Sequence, residues 1–143
     1  MMQIWQLIEK SQQPDFDSSL AHNHTPLQAL LKLAAPEVKW YLPSGAPEHP
    51  DYEGVEPPNS AEATLISELR RLKIFHSDAH GNDPYPHMKP IKRENMFVDL
   101  LMMLPKSEVK LLVAIKDKQV HLDFPNLLNT TTTSTTSKET QNA

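Results

Sequence analysis

The sequence has no cysteine in its 143 residues. Disulfide frameworks, thiolate zinc sites and cysteine nucleophiles are therefore excluded. Glycine is scarce too, with three against thirteen prolines, which leaves no glycine-rich phosphate loop and little scope for tight hairpins. No run approaches the roughly 20 apolar residues of a membrane span, so no membrane contact is expected. Met1 to Lys10 carries Glu9 and lacks a basic leader with an apolar core, unlike a secretion signal. No serine–histidine–acid arrangement, paired-carboxylate signature or nucleotide-binding loop is present, which removes any residue-level case for catalysis. The expectation is a non-enzymatic protein with no cofactor.

What is present fits one soluble domain. Hydrophobic residues make up 38%, low for a globule but above the disordered class. The net charge of −4 hides an asymmetry. Residues 1–58 set three lysines against eight acids, whereas residues 59–128 set ten Lys/Arg against nine. Such a chain has no global pull toward nucleic acid, and any such contact needs a local basic patch.

Apolar spacing marks the helices. Ile4, Leu7 and Ile8 put a helix between Met1 and Gln13, which Pro14 stops. Thr25 is a suitable cap for a second, with Pro26 at its first position and Leu27, Leu30, Leu31 and Ala34 on one face. Residues 36–59 hold five of the prolines between Pro43 and Pro58 together with Glu48, Asp51, Glu53 and Glu56, and read as a long acidic loop. Ser60 to Phe75 reads as an amphipathic helix with Ala61, Leu65, Leu69 and Leu72 as its stripe. His76 to Pro90 is a loop. Ile91 to Leu104 is a helix apolar on most sides, expected near the centre of a bundle. Lys106 to Lys118 reads as a helix capped by Ser107, with a hairpin through Val120, Leu122 and Phe124 as the alternative. From Asn129 onward the chain is threonine-rich with no large apolar residue, and is expected to be disordered.

The fold class expected is mainly α: one domain over 1–128, a bundle of four to five helices with a long proline-rich loop, followed by a disordered tail over 129–143. Leu65, Leu69, Leu72, Phe97, Leu100, Leu101, Leu104, Leu112 and Ile115 are the expected core.

Three groups of residues carry candidate functions. Trp40 and Tyr41, in a compact aromatic turn, and Met96, Met102 and Met103 offer an adaptable surface for a protein partner; the plainer reading is that Trp40 pins the loop and the methionines are core. Arg70, Arg71, Lys73, Lys92 and Arg93 would track phosphates, although no aromatic platform interleaves with them and nearby acids partly neutralise them. Lys92 and Arg93 open a helix, where cations do not complement the dipole. His76, His80 and His87 offer metal ligands in one loop, but a metal site draws its rigidity from separate elements that this loop lacks.

The blocks Leu30 to Gly45, Glu68 to Phe75, Lys92 to Lys118 and Phe124 to Leu128 occur in an order and spacing that resembles a family of uncharacterised small proteins of T4-like tailed bacteriophages of aquatic bacteria. The resemblance covers Leu30 to Leu128. It carries no assigned activity, so no catalytic residue follows from it. It implies a helix over Lys106 to Lys118, and a setting in the host cytoplasm or, as the alternative, the virion. The chain departs from the family pattern after Lys118 and in the His76–His87 loop, where histidines replace a glycine- and asparagine-rich stretch; that counts against the metal reading. The function expected is therefore a non-catalytic accessory protein that binds a host or phage protein. A nucleic-acid-associated factor and a metal-dependent enzyme are the alternatives.

Overall fold

The computed structural model describes residues 1–49 and 52–128. The expected tail over 129–143, and Asp51 of the acidic loop, lie outside the described residues. Among those residues the chain is mainly helical, with no strand beyond two isolated bridges. Eight α-helical elements occur: α1 (Ile4–Ser11), α2 (Ser19–His22), α3 (Thr25–Leu31), α4 (Leu65–Glu68), α5 (Pro90–Met103), α6 (Lys106–Lys116), α7 (Val120–Asp123) and α8 (Pro125–Leu128). Only α1, α3, α5 and α6 exceed a single turn. α2, α7 and α8 are additions to the expected set.

α1 buries Ile4, Leu7, Ile8 and Ser11, the i, i+3, i+4, i+7 face of one helix. It ends where Ser11 Oγ turns back to the Ile8 carbonyl at 2.7 Å. α3 is capped by His24, not by Thr25. His24 Nδ1 accepts the Leu27 N–H at 3.1 Å, while Nε2 lies 2.6 Å from the Met2 carbonyl. A carbonyl can only accept, so Nε2 carries the proton and Nδ1 is the acceptor. One neutral imidazole thus caps α3 and ties it to the start of the chain.

Ser60 to Phe75 is not one helix. Thr64 caps a single α-turn, its Oγ1 accepting from Ser67 N at 3.1 Å, and a 3₁₀ segment carries on over Leu69–Ile74. The spacing explains the change. Leu69, Leu72 and Phe75 recur every third residue, which lines up on a helix of three residues per turn. Leu72 and Phe75 are buried and Leu69 packs against the core from a half-buried position. Among the expected core residues, Leu69 is the one not fully buried.

α6, not α5, is the central helix. Val109, Leu111, Leu112, Ala114 and Ile115 are buried along it, because the run from Leu111 to Ile115 is apolar right round a turn. α6 packs against α1, α7 and the 3₁₀ turn at Lys32–Ala34. α5 buries Phe97, Leu100 and Leu101 but leaves Ile91 and Met102 exposed. Asn95 and Asp99, also exposed, keep that side in water. Each fully buried Leu or Ile contributes roughly 1.5–3 kcal/mol of transfer free energy before ordering costs. No hairpin forms after Lys116: residues 120–123 are the helical turn α7. Ser107 does not cap α6 either; Pro105 occupies that position, and Ser107 Oγ is buried without a hydrogen-bond partner.

The long loops are stitched to this core by backbone. Tyr41 N donates to Phe75 O at 2.9 Å and Ser77 N to Lys39 O at 2.8 Å. Val55 N donates to Leu104 O at 2.8 Å, and Lys106 N to Val55 O at 3.0 Å. The second pair demands the glycine beside it. Gly54 sits at φ +95°, and a Cβ there would lie 2.8 Å from Leu104 O and 2.7 Å from Val109 Cγ2, a clash compounded by the left-handed backbone.

Candidate functional site

Three cations missing from the usual surface are spent inside the molecule. Prolines and irregular segments leave loop carbonyls without backbone donors. Lys116 Nζ fills that need for Pro43 O (2.8 Å) and Gly45 O (3.1 Å), and pairs with Asp117 at 2.6 Å. Its three N–H donors are all engaged, so this amine is a clamp on the loop. Lys118, in the left-handed region at φ 60° just past α6, donates to Ala35 O at 2.6 Å and Val38 O at 2.7 Å. Burial lowers its pKa, partly opposed by the charge of Glu37.

Arg93 is the third. It was a candidate phosphate contact, but its side chain is only 5% exposed and grips Asp83 with two bonds, Nη2–Oδ1 at 2.7 Å and Nη1–Oδ2 at 3.2 Å. Its Nε also donates to Ile74 O at 2.9 Å, and its guanidinium lies 5.0 Å from the centre of the Tyr41 ring. The dipole mismatch at the start of α5 is thus answered by the half-buried carboxylate of Asp83. Burial pushes the Asp83 pKa up, but the bonds from Arg93 and the Tyr85 N–H, with the Arg93 charge, bring it below its ordinary value.

The remaining candidates are scattered. Arg70, Arg71, Lys73 and Lys92 are exposed, with Arg71 3.3 Å from Glu68. Trp40 is half-buried: its Nε1 donates to Leu33 O at 2.9 Å and its ring tilts against His76 at 5.3 Å. It pins the loop, as the plainer reading held, and Tyr41 is covered by Arg93. Met96 and Met103 pack against the core while Met102 is exposed, so these three do not form one open surface. His76 Nδ1 is 2.7 Å from the Ser77 carbonyl, and His80 and His87 are exposed. Asp78 is used to turn the same loop, accepting from the Asn82 and His80 N–H groups at 2.9 Å each; the Asn82 bond leads in lowering its pKa. Among the described residues no three His, Asp or Glu side chains gather to hold a metal ion, so the metal reading through His76, His80 and His87 loses its geometry.

The most deeply buried ionisable side chain escaped the sequence reading. Glu108 is fully buried. Its Oε2 accepts the Trp5 N–H at 2.9 Å and its Oε1 the Leu65 N–H at 2.7 Å, so one carboxyl serves the first turns of α1 and α4. Burial raises its pKa above the ordinary value of a glutamate, against the pull of those two bonds. Only an acid near the start of α6 was legible beforehand, and acids there are commonplace.

Two concavities stand out among the described residues. The smaller, about 590 Å³, lies between residues 42–49 and α5 beside the 61%-exposed Ile91. The larger, about 1040 Å³, runs along one face of α6. That face presents Lys106, Val109, Lys110, Val113 and Asp117, at helical spacing. Ile8 and Glu9 of α1, Tyr52, Glu53 and Glu56 of the long loop, and Leu122, Asp123 and Phe124 surround it. Leu122 is 65% exposed, an apolar side chain in water at the edge of a groove. Five acids stand there against two lysines. Lys106 reaches Glu53 at 3.7 Å and Asp117 holds Lys116. The side chains of Glu9, Glu56 and Asp123 have no hydrogen bond or ion pair within the described residues. The Val120–Leu122–Phe124 alternation was the available signal for this edge; it was open to reading as a strand.

The model of a family of unknown function, DUF6433, matches residues 9–122. The match begins upstream of the Leu30 boundary set by the sequence blocks, and the family that it names has no assigned function. No curated protein and no solved structure matches the chain.

Proposed function

We propose that this chain, which belongs to that family of unknown function, is a non-catalytic interaction protein that binds another protein through the groove along α6. The observation that carries this is the groove itself: an apolar lining with Leu122 left in water, rimmed by unpaired acids. A side chain such as Leu122 gains from being covered. The absence of catalytic motifs from the sequence and the saturated amine of Lys116 are in keeping with binding as the role. The phage resemblance extends the proposal to an accessory protein acting in the cytoplasm of an infected bacterium on a host or phage partner. Contact with nucleic acid is the weaker reading, because Arg93 is withdrawn from the basic set and Arg71 is paired.

The test is capture from nuclease-treated lysate of infected cells with wild-type protein and with Leu122→Asp, read by mass spectrometry. A partner enriched by wild type and lost with Leu122→Asp is the expected result. Partners that vanish on nuclease treatment, or that ignore the substitution, would overturn the proposal.

A further inference from the structure

Resting on the interaction reading above, we infer that the groove along α6 receives a short, cationic, amphipathic helix of another protein. Charge gives the first argument. Glu9, Glu56 and Asp123 are unpaired at the rim and face only Lys110 as an unpaired cation there. A ligand with lysine or arginine flanking an apolar stripe satisfies both the rim and the lining. A second copy of this chain would bring the same acids against themselves, on a molecule of net charge −4.

Backbone chemistry gives the second. A peptide that docks by adding a strand needs a sheet edge to satisfy its N–H and C=O groups. Among the described residues there is no strand to supply one. A helix satisfies its own backbone and needs only side-chain complementarity. Length agrees. α6 spans 11 residues, roughly 16 Å at 1.5 Å per residue, so a partner helix of about twelve residues covers the groove with apolar anchors at i, i+4 and i+7 on Val113, Leu122 and Phe124.

The experiment titrates the full chain into a fluorescent synthetic peptide of about twelve leucine, alanine and lysine residues patterned in that way. Anisotropy reads the binding, and a peptide with glutamate in place of lysine is the control. The lysine peptide is expected to bind and the glutamate peptide to bind at least about tenfold more weakly. Leu122→Asp, and separately the combined Glu9→Lys, Glu56→Lys and Asp123→Lys, should each weaken the lysine peptide about tenfold or more. Added salt should weaken it as well. All four positions are exposed, and an unchanged melting temperature confirms that folding is intact.

No binding of the lysine peptide, equal binding of the glutamate peptide, or indifference to both variants overturns the inference. So does self-association of the chain that Leu122→Asp abolishes. Capture of a partner that depends on Leu122, together with no peptide binding, would leave the interaction reading standing and remove only the helix. Peptide binding with capture indifferent to Leu122 would overturn both, since the inference rests on that reading.

Discussion

The helical centre and the loop belt around it meet the same demand in opposite ways. In the centre, helices satisfy their own backbone and the space between them is filled by Leu, Ile, Val and Phe. One carboxyl, Glu108, is admitted there because two helix starts need an acceptor. In the belt, formed by the segments on either side of Trp40 and by the loop 76–89, regular structure is missing and carbonyls are in surplus. Lys116, Lys118 and Arg93 supply donors to Pro43, Gly45, Ala35, Val38 and Ile74. Where the backbone lacks donors, the fold draws in cations; where helix starts lack acceptors, it buries a carboxyl.

Cutting the central carboxyl should have the largest effect. Glu108→Ala leaves the Trp5 and Leu65 N–H groups unpaired and opens a cavity, for a loss of about 4 kcal/mol in denaturant unfolding. Glu108→Gln keeps one acceptor and should lose about half of that. The pH dependence sharpens the point. The folded pKa of Glu108 lies above its unfolded value near 4.5. Its contribution is thus fully present below 4.5 and is lost as pH rises through the raised folded value. The stability gap between wild type and Glu108→Gln should shrink as pH rises through that window, and a constant gap would show the carboxyl to be unperturbed.

The belt's arginine comes next. Arg93→Met strands Asp83 and frees the Ile74 carbonyl, an expected loss of about 3 kcal/mol. Arg93→Lys should fail to restore it, since an ammonium cannot reproduce the two-pronged grip. Amide exchange should quicken first over residues 76–89. If α1 and α6 open at the same denaturant concentration as that loop, belt and centre are one cooperative unit and the contrast drawn above fails.

The smallest effect is expected at Lys118. Lys118→Met removes the donor to Ala35 and Val38 for about 1–2 kcal/mol, read as faster exchange near residues 32–39. Lys118→Gly loses the same donor but relieves the left-handed backbone, and should therefore cost less than the methionine variant. A glycine variant worse than the methionine one would mean that the side chain's packing matters more than its charge.

Much of the centre was legible in the sequence. The boundaries of α1, α5 and α6 follow from Ile4–Leu7–Ile8, from Pro90 and from Pro105, since helical periodicity and proline stops act over a few residues. The same local signals misplaced the centre of the fold. The methionines made Ile91–Leu104 look greasier than Lys106–Lys118, yet Asn95 and Asp99 hold the former at the surface. They also overran the 60–75 segment, where spacing by three was hidden within spacing by three and four. The candidate site was the least legible part. Arg93 looked like a surface cation, and Leu122 like the face of a strand.

From the sequence alone came the mainly helical class, eight buried core positions of the nine expected, the long proline-rich loop and the lack of cysteine chemistry. Those properties depend on neighbours three or four positions away, or on composition. Tertiary structure alone decided that Glu108 would meet Trp5 and Leu65, 103 and 43 positions distant, and that Lys116 would reach Pro43 across 73. It also decided that residues from α1, the long loop and the Leu122 turn would share one groove on α6. A buried charge needs a specific partner, and no local periodicity records which distant backbone group folding will bring to it.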